Sequence, residues 1–87
     1  MKVTFSTHAE GKFRILEELG FKFKVVDIQD ALEDPDFRGE GDYPGTEAVH
    51  RSITERLNLR VIYSNRGGII HVITFYPVRK GRYQPKL

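Results

Sequence analysis

The pattern of apolar and polar positions predicts a strand and then a helix at the start of the chain. Residues 2–6 alternate between the two classes, as a strand with one buried face does. Apolar residues then recur at helical spacing, which predicts a helix over 8–19. Thr7 and Glu10 fit a capping box at its start, and Gly20 suits its end because glycine tolerates a positive φ.

A second helix and a polar loop are predicted next. Segment 21–26 is ambiguous, because its aromatic residues alternate like a strand whereas its last valines begin a helical repeat. We favour a helix over 24–33 that ends before Pro35, since the residue preceding a proline avoids the helical region. Proline, glycine and acidic residues fill 35–45, which we interpret as a mobile acidic loop.

The second half of the chain has the pattern of β-strands. A strand is predicted over 47–53, with a short helix at its start as the alternative. Two strands rich in β-branched and aromatic residues are predicted over 59–64 and 69–76. The Asn-Arg-Gly-Gly turn at 65–68 joins them as a hairpin. Residues 78–87 then form a basic tail.

This hairpin is expected to bring arginine and histidine side chains to one face. With a two- or four-residue turn, the predicted register pairs Arg60 with Ile73 and Ile62 with His71. Arg60 and His71 are then diagonal neighbours, about 7–8 Å apart at their backbones. Continuing the alternation points Arg79 the same way. The opposite, more apolar face is expected to meet the helices.

Length and composition limit what the chain can do. Its 87 residues leave room for one domain with one small core, and not for an enclosed pocket around a large cofactor. Cysteine is absent, which excludes disulfides, thiolate metal sites and cysteine nucleophiles. The histidine spacings match no metal motif. Without a signal-peptide pattern or a bilayer-spanning apolar run, we expect a cytoplasmic protein that does not contact membranes.

Charge is distributed unevenly along the chain. Residues 1–45 contain six Lys or Arg and ten Asp or Glu, whereas residues 46–87 contain eight and two. No acid follows Glu55. Such asymmetry indicates a surface for a polyanion or for an acidic protein segment, unless the two halves neutralise each other across the fold. A head-to-tail homodimer that pairs the acidic and basic segments is a further alternative.

If the polyanion is RNA, cleavage needs no metal, because the 2′-hydroxyl is a built-in nucleophile. Arginine donates to the scissile phosphate, and histidine transfers protons near neutral pH. We therefore predict that Arg60, His71 and Arg79 are catalytic. RNA contacts are predicted for the neighbouring basic and aromatic residues, which are Arg66, Tyr76, Lys80, Arg82 and Tyr83. His8 and His50 are further candidates.

Each of these residues also has a purely structural interpretation. His71 would be a half-buried strand residue that is hydrogen-bonded to the backbone. Arg60 would pair with an acid such as Glu47. The run 79–82 would be a solvated charged stretch, and His8 would pack or cap at the start of the first helix.

Two parts of the sequence carry motifs of a known kind of small domain. The first part comprises Ser6-Thr7-His8-Ala9, Arg14, Leu19-Gly20-Phe21, residues 25–32 and Asp34-Pro35. The second part is the hairpin, with Leu59-Arg60-Val61-Ile62-Tyr63 and Val72-Ile73-Thr74-Phe75-Tyr76-Pro77. Together they resemble a family of small domains distantly related to the RelE/ParE and BrnT toxins, and the resemblance covers nearly the whole chain except 36–58.

The resemblance implies an α+β fold of order β-α-α-β-β-β, with two helices packed on a twisted antiparallel sheet in one RelE-like domain over 1–87. It also implies a toxin of a type II toxin–antitoxin pair, neutralised by an antitoxin protein. RelE-type toxins cut messenger RNA on the ribosome without a metal. ParE-type relatives are not nucleases, so a non-catalytic RNA- or protein-binding module is the alternative.

Individual residues also match the toxin pattern. Arg60 resembles the RelE strand arginine, and Arg79 or Lys80 falls where the arginine after the last strand would lie. Tyr83 is similar in placement to the C-terminal tyrosine of RelE. Two features of RelE have no match in this sequence, namely the lysine cluster before the hairpin and the long C-terminal helix.

Overall fold

Residues 2–82 are described by the computed structural model, and they form two helices and five strands. The elements are β1 Lys2–Phe5, α1 Thr7–Glu18, α2 Val25–Glu33, β2 Phe37–Glu40, β3 Glu47–Ser52, β4 Leu57–Arg66 and β5 Ile69–Arg79. The predicted α+β class is confirmed, and both helices pack on the sheet. The predicted element order also holds, with β2 as one additional strand.

Ser6, rather than the predicted Thr7, caps α1. The Ser6 Oγ accepts a hydrogen bond from the backbone N–H of Ala9 at 3.0 Å. The same hydroxyl donates to the carbonyl oxygen of Ile73 in β5 at 2.8 Å. Thr7 is therefore already the first helical residue, and one serine both satisfies a free helix N–H and ties the start of α1 to the sheet.

The sheet is mixed, with strand order β1-β5-β4-β3-β2. Strands β2 to β5 pair in antiparallel fashion, whereas β1 runs parallel to β5 from Lys2↔Ile69 to Phe5↔Val72. The prediction of a wholly antiparallel sheet is therefore wrong at this edge. Tight turns impose the antiparallel direction, but both helices and three strands separate β1 from β5, so no turn fixes their relative direction.

Strand β2 lies inside the segment that the sequence predicted to be a loop. It is four residues long and pairs with β3 from Phe37↔His50 to Glu40↔Glu47. Charged residues and a glycine are poor strand formers, which hides a short edge strand from a pattern-based prediction. The loop proper is the stretch 41–46 between β2 and β3. Its mobility stays a prediction.

The turn between β4 and β5 has two residues, one of the two lengths considered from the sequence, but the register that follows from it differs from the predicted one. It consists of the glycines at 67 and 68, both with positive φ, and Arg66 pairs with Ile69 across it. In the predicted register, Ile69 pairs with Ser64, two positions before Arg66. The predicted partners across the hairpin, Ile73 for Arg60 and His71 for Ile62, are therefore wrong.

A β-bulge changes the alternation of side chains in the middle of β5. Ile62 pairs with Thr74 and Tyr63 pairs with Val72, so Ile73 is the extra residue of the bulge. Beyond it the side chains change sides relative to a regular strand. This change explains why Thr74 and Tyr76, and not Ile73 and Phe75 as predicted, share a face with Arg60 and Ile62.

Aromatic side chains join the helices to the sheet. Phe75 is fully buried at the centre of the core. The Phe13 ring of α1 lies 4.7 Å from it between centroids, and the Phe23 ring lies 6.2 Å from it. These contacts fix α1 and the α1–α2 linker over one face, and the other face carries Arg60, His50 and Tyr76 together with the buried apolar Ala48 and Ile62. Neither helix within 2–82 has the length and apolar character needed to cross a membrane.

Candidate functional site

The three residues predicted to be catalytic do not converge. Arg60 lies opposite Tyr76, and His71 lies opposite Ser64, four positions along β4. The two side chains share a face but are about 13 Å apart along the strand. Arg79 follows Tyr76 by three positions, so its side chain leaves from the other face. The predicted convergence is therefore wrong, because His71 pairs with Ser64 rather than with Ile62 and the bulge turns the side chain of Arg79 to the other face.

His71 has a structural partner near the hairpin turn. Its Nδ1 lies 2.9 Å from the Oγ1 of Thr4, the residue beside it in β1. The side chain is half-buried, as its structural interpretation predicted. The partner is a threonine hydroxyl rather than the backbone group expected from the sequence. His71 therefore links β1 to β5.

Arg60 lies at the centre of a buried group of polar side chains. Its Nη1 donates to Nε2 of His50 at 2.9 Å, and its Nη2 donates to Oδ1 of Asp42 at 2.8 Å and to the carbonyl oxygen of Glu40 at 3.2 Å. Only 3% of the Arg60 side chain is exposed. The prediction that Arg60 pairs with an acid is confirmed, but the acid is Asp42 rather than Glu47.

His50 is a neutral hydrogen-bond acceptor in this group. Because a guanidinium can only donate, Nε2 of His50 must accept from Arg60, and the ring proton belongs on Nδ1. The Nδ2 of Asn58 lies 3.4 Å from Nδ1, which in this tautomer is a contact between two donors and not a hydrogen bond, and the Phe37 ring lies 5.3 Å from the imidazole. Burial and the charge of Arg60 lower the pKa of His50 to about 4. His50 therefore carries no charge at neutral pH.

Asp42 and Tyr76 complete the group. The Tyr76 hydroxyl donates to Oδ2 of Asp42, so the two oxygens of one carboxylate receive donors from two strands. Burial raises the pKa of Asp42, but hydrogen bonds from Tyr76 and Arg60 outweigh it, and the pKa lies below its usual value. Burial and the bond to Asp42 raise the pKa of Tyr76 to about 12. We call Asp42, His50, Arg60 and Tyr76 the polar network.

Side chains of α1 lie beside the part of β5 that has no strand partner on its β1 side, next to the polar network. Strand β1 ends beside Val72, and α1 lies next to the rest of β5. His8 Nε2 lies 3.1 Å from Thr74 Oγ1, and Lys12 Nζ lies 5.8 Å from the centre of the Tyr76 ring. We call His8, Lys12, Thr74 and Tyr76 the β5 edge. It combines a solvent-exposed imidazole with an ammonium group and a phenol.

Exposed cations gather at the end of the sheet where β5 finishes. Arg56, Arg79 and Lys80 line a groove of about 530 Å³ together with one carboxylate, that of Glu55. The Lys80 N–H donates to the carbonyl of Arg56 at 2.9 Å, and the Arg82 N–H donates to that of Arg79 at 3.3 Å. We call Arg56, Arg79, Lys80 and Arg82 the basic end. Two predicted RNA-binding residues, Lys80 and Arg82, are part of it.

The remaining predicted RNA-binding residues lie elsewhere. Arg66 pairs with Ile69 at the hairpin turn, nine positions from the start of β4 and therefore about 30 Å from the basic end. Tyr76 belongs to the polar network. Tyr83 lies outside the described residues.

Sequence reasoning missed Asp42, Lys12 and Arg56 as site residues. For Asp42 a signal existed, because a strand arginine flanked by apolar residues needs a buried acceptor and 35–45 is rich in acids. For Arg56 the signal was its place at the start of the stretch without acids. Lys12 gave no signal of its own. Within residues 2–82, no three histidine or carboxylate side chains come close enough together to hold a metal ion.

Comparison with known proteins finds no matching family model, no matching curated protein and no matching solved structure. The relation to RelE, ParE and BrnT toxins therefore stays a prediction from sequence.

Proposed function

We propose that the protein binds RNA through the basic end. The observation that supports this most is the convergence of exposed Arg56, Arg79 and Lys80 on one groove, where Glu55 contributes the one carboxylate of the lining. Cations grouped in this way release counterions when they contact consecutive phosphates, and this release drives polyanion binding. RNA is favoured over DNA by the resemblance of the hairpin to RNA-cutting toxins. Such binding would take place in the cytoplasm.

Hydrogen bonds hold the backbone around the proposed groove in place. The Lys80 Nζ donates to the Ser52 Oγ at 2.7 Å, and the backbone bond between Lys80 and Arg56 joins the β3–β4 loop to the end of β5. Arg56, Arg79 and Lys80 are therefore carried by backbone that hydrogen bonds tie to the sheet. A rigid arrangement loses less conformational entropy when it binds than a flexible tail would.

Salt dependence of binding tests this proposal. The double variant Arg79→Gln/Lys80→Gln should weaken binding to a single-stranded RNA about tenfold near physiological salt. It should also reduce the slope of log K against log salt concentration by about 1.4, since each phosphate contact to a single strand contributes about 0.7. Fluorescence anisotropy with a labelled oligonucleotide measures both quantities.

The matched control removes two cations at the other end of the sheet. In Lys2→Gln/Arg66→Gln the net charge falls by the same amount, but both residues lie where β1 and β4 meet the hairpin turn. Affinity and slope should stay close to those of the wild type. Equal losses in the two double variants would show that only net charge matters, and the basic end would then not be the binding surface.

A second candidate function is metal-independent RNA cleavage by a toxin that an antitoxin neutralises. It is supported by the β5 edge, where exposed His8 can exchange protons and Lys12 supplies a positive charge beside it on α1. The chemistry would be attack of the 2′-hydroxyl on the adjacent phosphorus, with departure of the 5′-oxygen and formation of a cyclic phosphate. His8 would accept or deliver the proton in transit.

This candidate is tested with RNA and a chelator present. Wild-type protein should produce fragments ending in a cyclic phosphate, and its induced expression should stop growth. His8→Gln should lower the rate at least a hundredfold, in the range that general acid–base groups contribute. His71→Gln is the matched control, because His71 contacts Thr4 away from the β5 edge. Intact RNA, or equal rates in both variants, would exclude His8 catalysis.

A further inference from the structure

The loop 41–46 covers the guanidinium of Arg60 with a carboxylate from the chain itself. Arg60 Nη2 donates to one Asp42 oxygen at 2.8 Å, and the Tyr76 hydroxyl donates to the other. These donors come from adjacent strands and converge on one anion. The Asp42 side chain is 27% exposed, whereas that of Arg60 is 3% exposed. The acid therefore closes the entrance to the buried cation from the solvent side.

The donors around Asp42 suit a larger anion than a carboxylate. Besides Arg60 and Tyr76, the Lys12 ammonium lies 5.8 Å from the Tyr76 ring, on the same side of β5. The Asp42 carboxylate therefore accepts from a guanidinium and a phenol, and an ammonium group lies near the same phenol ring. A phosphate group has the same pair of acceptor oxygens for Arg60 and Tyr76 and a further charged oxygen for an ammonium group.

The hydrogen bonds within the loop would survive its opening. The N–H of Gly41 donates to the Thr46 carbonyl, and Thr46 exchanges bonds with Tyr43 through both its backbone and its hydroxyl. These bonds lie within the loop and move with it. Opening breaks the bonds that Asp42 makes to Arg60 and Tyr76, and an incoming anion can replace both of them.

We propose that the position of Asp42 is a binding site for a phosphate group, and that Asp42 is a built-in competitor that an incoming phosphate displaces. The site consists of Arg60, Tyr76 and Lys12, and it uses none of the residues of the basic end. The proposal therefore goes beyond RNA binding by that surface and does not depend on it. A phosphate that binds here must open the loop, so the loop sets the apparent affinity.

The competition is tested with inorganic phosphate at constant ionic strength. The aromatic NMR signals of Tyr76 report on this site separately from the basic end. In Asp42→Asn the loop keeps its shape but loses the competing charge, so the Tyr76 signals should titrate with a dissociation constant at least fivefold lower than in the wild type. Asp42→Ala, which removes the acceptor altogether, should show the same direction of change.

The matched control is Glu40→Gln. Glu40 contacts Arg60 through its backbone carbonyl, so this variant removes an acid next to the loop and leaves the Arg60 contacts in place. Its dissociation constant should equal that of the wild type. Asp42→Asn/Tyr76→Phe, followed through the His50 ring signals, should lose most of the gain. Equal constants for wild type, Asp42→Asn and Asp42→Ala, or unmoved Tyr76 signals, would overturn the proposal.

A second titration identifies the source of the phosphate. A short oligoribonucleotide without terminal phosphates supplies only internal phosphodiesters. If it shifts the Tyr76 signals of Asp42→Asn as inorganic phosphate does, the site takes a nucleic acid backbone. If inorganic phosphate alone shifts them, the site takes a free phosphate or a small phosphorylated molecule. Both results support a phosphate site, whereas no shift with either probe excludes it.

Discussion

Arg60 is held by acceptors from three consecutive parts of the chain. The Glu40 carbonyl ends β2, Asp42 belongs to the following loop, and His50 lies in β3. While the loop 41–46 is closed, a guanidinium that is 3% exposed cannot hydrogen-bond to water in place of a lost acceptor. Removing Asp42 would leave a buried charge without a counter-ion, and this costs more free energy than the intact ion pair itself contributes.

The contribution of the buried Asp42–Arg60 pair to stability can be measured by comparison with an exposed ion pair. Asp42→Ala should lower the free energy of unfolding by about 2 kcal/mol, since it leaves the buried Arg60 without its charged partner. Asp34→Ala is the matched control, because the Asp34 side chain is 89% exposed in its pair with Arg51. Its effect should stay below about 1 kcal/mol. Urea unfolding measures both, and similar losses would contradict the assigned role of Asp42.

At the scale of elements, the sequence predicted both helices and the strands β1, β3, β4 and β5 but not their register. The reason lies in β5, where apolar side chains face both sides of the sheet around 69–76. Alternation fixes register only where one face is polar, so neither the bulge at Ile73 nor the pairing of Arg66 with Ile69 could be predicted. Strand β2 was missed because charged residues at an edge obscure the strand pattern.

The unpredicted strand register also limits what the sequence could predict about the candidate site. Its strand residues could be chosen from the sequence, and Arg60, His50 and Tyr76 were among the candidates. Their grouping could not be predicted, because it depends on the register and on the path of the loop that carries Asp42. Asp42 precedes Arg60 by 18 residues. Where such a loop folds back is decided by tertiary contacts, which no local pattern contains.

At the scale of the whole molecule, the uneven charge is partly neutralised across the fold. Acids of the first half pair with arginines of the second half, in Asp34–Arg51 and Asp42–Arg60. Both of the interpretations offered by the sequence therefore contribute. Acids and arginines of the two halves pair near β3 and β4, while Arg56, Arg79 and Lys80 lie exposed around one groove where β5 finishes.

Stability of the whole molecule should also depend on pH through His50. Burial and the charge of Arg60 lower its pKa in the folded protein to about 4, from 6.5 in an unfolded chain, with Asp42 acting in the opposite direction. At pH 7 both states hold a neutral ring. Below pH 6.5 the unfolded chain takes up a proton that the folded protein does not, so acid favours unfolding. The free energy of unfolding should fall by about 2 kcal/mol between pH 7.5 and 5.

Substitution of His50 separates this contribution from that of the other titrating groups. In His50→Gln the amide oxygen can still accept from Arg60, but the proton-binding site is gone, so the variant should show little change in unfolding free energy over the same pH range. His71→Gln keeps His50 and should retain the full decrease. Urea titrations at several pH values measure the three slopes. If His50→Gln loses stability with acid as steeply as the wild type, the imidazole is not the neutral acceptor beside Arg60, and the role assigned to His50 in the network is wrong.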